Sequence, residues 1–183
     1  MNKFTRLPRF SGRQLSAFLL VSIALSAAAG GALATERLHL EVPGFEGSTT
    51  LAGFDRQIEV VNVSLGYNVV PAEKATATLT PVTITRQVDK SSPGLMQAGS
   101  RGQNLGTVKL RALRTVNTAG QLLVTHTLYN ARITDYRYVD ARGASIVPTE
   151  QITFLVSGVD YEVQNFAANG DATTPSKGSV GSP

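Results

Sequence analysis

Residues 89–102, "DKSSPGLMQAGSRG", interrupt a chain that otherwise alternates apolar and polar residues with the period of a β-strand. The stretch predicts one short helix. Ser92 reads as the N-cap, because a serine hydroxyl at that position accepts a backbone N–H of the first turn. Pro93 suits the first helical position, where a missing N–H costs nothing. Leu95, Met96 and Ala98 are its apolar residues, and Gly102 supplies a left-handed stop. A helix of about ten residues is marginal in water by itself. It needs a larger body to pack against.

The flanking sequence predicts that body as antiparallel β. In "RLHLEV" (37–42), Leu38, Leu40 and Val42 share one face while Arg37, His39 and Glu41 share the other. "QIEVVNVSLG" (57–66) reads as a single strand with Val61, Val63 and Leu65 on one face. "ATLTPVTITRQV" (77–88) is rich in β-branched residues, and Pro81 places its first half at an edge or a bulge. "GTVKLRALRTV" (106–116) and "QLLVTHTLYNARI" (121–133) flank the turn signal "NTAG". A second turn, "DARG" (140–143), leads to "TEQITFLVSGVDYEVQNF", in which Gly158 marks a bulge or bend. About seven strands at this spacing predict a mainly β fold, a small antiparallel barrel or sandwich with one helix. No internal repeat is present.

The net charge of +4 is concentrated at the start of the chain. Lys3, Arg6, Arg9 and Arg13 precede Thr35 without one acidic residue, and the remaining 13 Lys and Arg are matched by 13 Asp and Glu. A nucleic-acid partner is therefore not expected, since neutralising phosphates requires a basic surface. The first 34 residues follow the order of a secretory signal peptide. A basic stretch precedes an apolar run from Ala17 to Ala29, and "ALA" (Ala32 to Ala34) predicts cleavage before Thr35. The apolar run is shorter than the roughly 20 residues that span a bilayer. Export by the general secretory route, to the periplasm or the medium, is the expectation, with no membrane attachment once the leader is removed. The chain has no cysteine, so neither disulfides nor a lipid-modified N-terminal cysteine enter. Beyond Phe166 the chain turns to Gly, Ser, Thr and Pro, and 167–183 reads as a disordered tail. One domain, 35–166, lies between.

Catalytic chemistry finds no foothold. The two histidines, His39 and His126, read as surface or packed strand residues. There is no H-x-x-x-H, no acidic cluster at metal-ligand spacing, no G-x-S-x-G and no phosphate loop. The carboxylates are scattered singly. No enzyme, metal or cofactor is expected.

Two blocks resemble the Hcp family, the tube proteins of type VI secretion. "LHLEVPGFEGSTTLAGFDRQIEVVNVSLG" (38–66) is similar to the family's opening, and "DKSSPGLMQAGSRGQNLGTVKLRALR" (89–114) to its Asp-Lys-Ser-[Ser/Thr]-Pro-x-Leu-Met segment. "TEQITFLVSGVDYEV" (149–163) has the look of its last strand. The resemblance implies two antiparallel sheets closed into a small barrel, with the helix as a prop against its side. It also implies hexameric rings that stack into a tube, carry effectors in the lumen and meet a spike protein at the tip. Two features depart from the family pattern: its usual histidine is absent from "AGFDRQIEV", and Leu65 replaces the aromatic before Gly66. The leader departs further, because tube subunits assemble in the cytoplasm. The competing expectation is an exported monomeric β-barrel that binds a ligand or surface partner through the loops 44–56 and 139–149.

Overall fold

Twelve strands and one helix form in the computed structural model, which describes residues 36–70, 76–116, 119–139, 148–167 and 170–183. The chain runs β1 (Glu36–Glu41), β2 (Ile58–Val60), β3 (Asn62–Ser64), β4 (Tyr67–Val70), β5 (Thr76–Leu79), β6 (Val82–Gln87) and α1 (Ser92–Ser100). It continues through β7 (Val108–Val116), β8 (Ala119–Tyr129), β9 (Arg132–Val139), β10 (Thr149–Leu155), β11 (Gly158–Val163) and β12 (Ser176–Gly181). The strands form a six-stranded sheet, β12-β11-β8-β7-β1-β2, a four-stranded sheet, β3-β6-β10-β9, and the separate hairpin β4-β5. Every pairing is antiparallel.

The two large sheets face one another across a single core. Leu40, Ile58, Val60, Val108, Leu110 and Leu128 project from the first, and Val82, Ile84, Ile133, Ile152 and Phe154 from the second. The strand patterns account for this. Leu40 with Val42, and Val82 with Ile84, stand two apart and turn to the same side of a pleated strand. Three corners carry the chain from sheet to sheet: Val61 between β2 and β3, Asn130 and Ala131 between β8 and β9, and Val156 and Ser157 between β10 and β11.

These corners correct the expectation of a closed barrel. Among the described residues no ladder joins the six-stranded sheet to the four-stranded one, and there are three sheets rather than two. The physical reason lies at the edges. The free side of β11 is taken by β12, and the start of β9 is bridged by Asn104 to Arg132, with Leu105 N–H donating to Ala131 O (2.8 Å). "QIEVVNVSLG" is likewise two strands in two sheets. Ile58 and Val60 enter the core, whereas Val61, at the corner, is exposed. Pro81 separates β5 from β6, and β5 belongs to the detached hairpin. Gly158 stands at the β10–β11 corner, where a Cβ would lie 2.5 Å from the backbone O of Ser182. Only glycine fits there without movement. The hairpin β7–β8 forms, but its turn residues 117 and 118, and the "DARG" turn, lie outside the described residues. So does the predicted leader, including Ala32, Ala34 and Thr35.

The tail also departs from its reading. Ser176–Gly181, expected to be disordered, pairs with all six residues of β11, and Lys177 meets Glu162 at 2.9 Å. The stretch is too polar to build a core, but adding an edge strand needs only backbone groups, and its side chains remain mostly exposed. Deleting 168–183 should therefore cost about 1–2 kcal/mol, since ladder bonds contribute modestly after ordering entropy. It should also promote association through the bared edge of β11. Urea denaturation with light scattering checks both, and an unchanged midpoint would return the tail to the disordered reading.

Candidate functional site

A buried ionic cluster holds the helix to the four-stranded sheet. Arg86 of β6 and Glu150 of β10 are direct cross-strand partners, and both are fully buried. Arg86 Nε donates to Glu150 Oε1 at 2.6 Å, and Nη2 lies 2.5 Å from the same oxygen. Nη1 donates to Asp89 Oδ1 at 3.0 Å, and Nη2 to Ser92 Oγ at 2.7 Å. Ser92 Oγ in turn donates to Glu150 Oε1 (3.0 Å) and accepts from Asp89 N–H (3.0 Å). The Tyr136 hydroxyl of β9 donates to Glu150 Oε2. One guanidinium thus organises two carboxylates, a serine and a tyrosine from three strands and the helix start.

The motif "DKSS" gains its meaning from this cluster. Asp89 Oδ1 accepts from Ser91 N–H (2.8 Å) and Ser91 Oγ (2.6 Å), and Oδ2 accepts from Ser48 N–H (3.1 Å). Burial pushes the Asp89 carboxyl up, but the hydrogen bonds from Ser91 and the Arg86 guanidinium outweigh it and hold the group below its ordinary value. Burial, then the hydrogen bond to Glu150 and its negative charge, raise Tyr136 well above the usual phenol range. Tyr136 therefore stays a donor.

The helix begins one residue from the expected cap. Ser91 is the N-cap and makes no side-chain cap bond, while Ser92 is the first helical residue. The reason is the cluster, which takes the Ser92 hydroxyl toward Arg86 and Glu150. Pro93 sits within the first turn, and Leu95 and Ala98 are buried three apart on one face. Met96 points outward and is 56% exposed. Gly102 has φ +60° and donates its N–H to Gly99 O (3.0 Å), ending the helix. The helix packs on β9, where the Cβ position of Gly99 lies 2.9 Å from Ile133 Cγ2.

Arg86 and Glu150 escaped the reading of the sequence, although strand parity carries the signal. Arg86 continues the inward row Val82, Ile84, and Glu150 opens the inward row Ile152, Phe154. Two opposite charges on core-facing rows must find one another, because an unpaired buried charge is far too costly. The histidines stand apart from the cluster. His126 packs on its cross-strand partner Tyr161, with ring centroids 4.9 Å apart. His39 is fully buried on the face read as polar, beside Phe54. Among the described residues no group of three or more His, Asp and Glu could hold a metal ion, and no helix is long and apolar enough to cross a membrane.

The family described as "Type VI secretion system effector, Hcp" matches residues 39–162, from the first strand to the last strand of the core. The chain belongs to the Hcp family. It is a non-catalytic protein of the type VI secretion kind, structural and effector-carrying. Solved structures share the Hcp fold. A type six secretion system protein superposes with a TM-score of 0.70 at 20% identity, over 79% of this chain and 93% of that one. Hcp1 from Salmonella typhimurium gives 0.63 at 15% identity over 80% and 94%, and secreted protein Hcp3 from Pseudomonas aeruginosa gives 0.56 at 19% over 80% and 96%. No curated protein sequence matches the chain. In this Hcp protein the segment that carried the resemblance, 89–114, includes the two residues that tie the helix into the ionic cluster, Asp89 and Ser92.

Proposed function

We propose that this Hcp protein forms rings of six that stack into a tube, with effector cargo in the lumen and a spike protein at the tip. The family match over 39–162 carries the reading, since it spans nearly the whole two-sheet body. The surface supports it. The strands β2, β3 and β9 end their sheets, and unpaired edges of this kind must be covered or paired in a soluble protein. Tyr67, Val69 and Val70 of the detached hairpin, and Tyr138 and Val139 of β9, are exposed. Closing identical subunits into a ring covers such surfaces repeatedly and leaves no free side. The loop 44–56, the alternative ligand-binding element, is folded onto its own sheet, and residues 140–147 of the other loop lie outside the described residues.

The processed protein at micromolar concentration should run at the mass of a hexamer in size exclusion with light scattering, and negative-stain images should show rings. A strict monomer over that range would remove the tube reading and favour the binding module. The leader is part of the same reading: residues 1–34 direct general secretory export and are cut before Thr35. N-terminal sequencing of periplasmic or secreted material should begin within a few residues of Thr35. An intact Met1 on membrane-bound protein would instead make the leader an anchor.

A further inference from the structure

Residues 46–57 lie across the outer face of the six-stranded sheet, the face turned away from the core. The loop closes on itself. Gly47 N–H donates to Arg56 O (2.7 Å), Arg56 N–H to Thr49 O (2.9 Å), and Thr49 N–H to Gln57 O (3.2 Å). Gly47 is required by that closure, because a Cβ there would lie 2.3 Å from Gln57 O. Beneath the loop is His39, whose Nδ1 is 3.3 Å from Thr49 Oγ1 and whose ring lies 6.3 Å from that of Phe54. Leu51 and Phe54 also reach within 3.0 Å of the Cβ position of Gly120. Leu113, opposite Arg37 on the same outer face, is fully buried and does not belong to the main core. Leu51 and Phe54 of the loop lie over this same face, beside Gly120 of the neighbouring strand.

We propose that the loop 46–57 is an acid-released clasp: protonation of His39 detaches it from the sheet and uncovers the apolar surface around Leu113. The inference is independent of ring assembly. An imidazolium has two N–H donors that both need acceptors. Thr49 can serve Nδ1, but Nε2 is buried without a partner. Gln57 Oε1, from the same outer face, is also buried and unpaired, so the two do not meet.

Most of the charged groups around the ring pair with one another. From β1, Arg37 meets Glu59 of β2 at 3.7 Å, and Glu41 meets Arg111 of β7, the cross-strand partner of His39, at 2.5 Å. On the loop itself Glu46 pairs with Arg56 at 2.8 Å and Lys90 at 3.6 Å, and Asp55 is exposed. Glu59, the other cross-strand partner of His39, is largely exposed and shared with Arg37, and Asp55 is exposed, so among the described residues no carboxylate is hydrogen-bonded to the ring. Burial lowers the His39 pKa from its ordinary 6.5; Glu59 pulls the other way and Arg37 reinforces the lowering. The sign follows: the folded state binds fewer protons than the unfolded one, so the loop's contribution is intact above 6.5 and is lost as pH falls through the folded value. The loop also touches the helix cluster through Ser48 N–H and Asp89 Oδ2, so its release loosens one bond to the helix start.

Hydrogen exchange by mass spectrometry on the full protein tests the clasp. Peptides within 46–57 should exchange about tenfold faster at about pH 5.5 than at about pH 7.5 after correction for intrinsic rates, while β6 and β10 stay protected. In His39→Gln the acceleration should vanish, and in His126→Gln it should persist. A pH-independent loop in the wild type, or the same acceleration in His39→Gln, would overturn the proposal. Should His39→Gln fail to fold, the NMR titration of the His39 ring in the wild type decides. Loop opening must share its midpoint, and opening while the ring is still neutral would refute the clasp.

Discussion

Replacing Arg86 with methionine should cost this Hcp protein about 3–5 kcal/mol, since removing one partner of a buried ion pair strands the other charge in the core. Glu150 is the stranded group. Arg86 and Glu150 are both fully buried, and Asp89, Ser92 and Tyr136 are arranged around them. Against a domain stability of about 5–15 kcal/mol, such a loss would leave much of the protein unfolded at physiological temperature. The double variant Arg86→Met, Glu150→Met should recover at least half of it, because a pair of apolar residues often replaces a buried pair at little net cost. Equilibrium urea denaturation of both variants measures the difference. A single variant that lost under about 1 kcal/mol would show that Glu150 reaches water or another cation, against the geometry described. The cluster has an acid limit too. Asp89 is held below its ordinary 3.8, so the stability it contributes is present above that value and lost as pH falls through the folded one.

Leu95→Asp should be comparably severe. Leu95 is fully buried in the main core, and a carboxylate there costs several kcal/mol of desolvation or must take up a proton. The variant is expected to unfold, with loss of the cooperative thermal transition by circular dichroism. Met96→Asp, the next residue on the same helix, should change stability by no more than about 0.5 kcal/mol, because its side chain is largely exposed. The contrast isolates the helix face that supports the subunit from the face turned outward. If Leu95→Asp left a well-folded monomer, the helix would belong to a subunit contact and its role as a prop would be wrong. If Met96→Asp abolished rings while leaving the fold intact, the outer face of the helix would be such a contact.

The strand content, the single helix and its stopping glycine were legible because each is a local matter. The period-two row at Leu38, Leu40 and Val42 states which side of that strand meets the core. A Ser-Pro start and a glycine at positive φ bound a helix by backbone sterics alone. Absent motifs and two separated histidines left catalysis without residues. Long-range pairing decided the rest. Whether "QIEVVNVSLG" is one strand or two depends on which neighbours its backbone groups find, and they lie in different sheets. The same holds for the polar stretch Ser176–Gly181, which becomes a strand only because β11 offers an open edge. His39 sat on a row that alternation assigns to water, and a loop arriving from residues 46–57 buried it. The ionic cluster joins residues 64 positions apart, Arg86 and Glu150. Parity alone could say that each charge faces inward; that they satisfy one another, and claim Ser92 from its cap, is a consequence of chain crossing that no local pattern encodes.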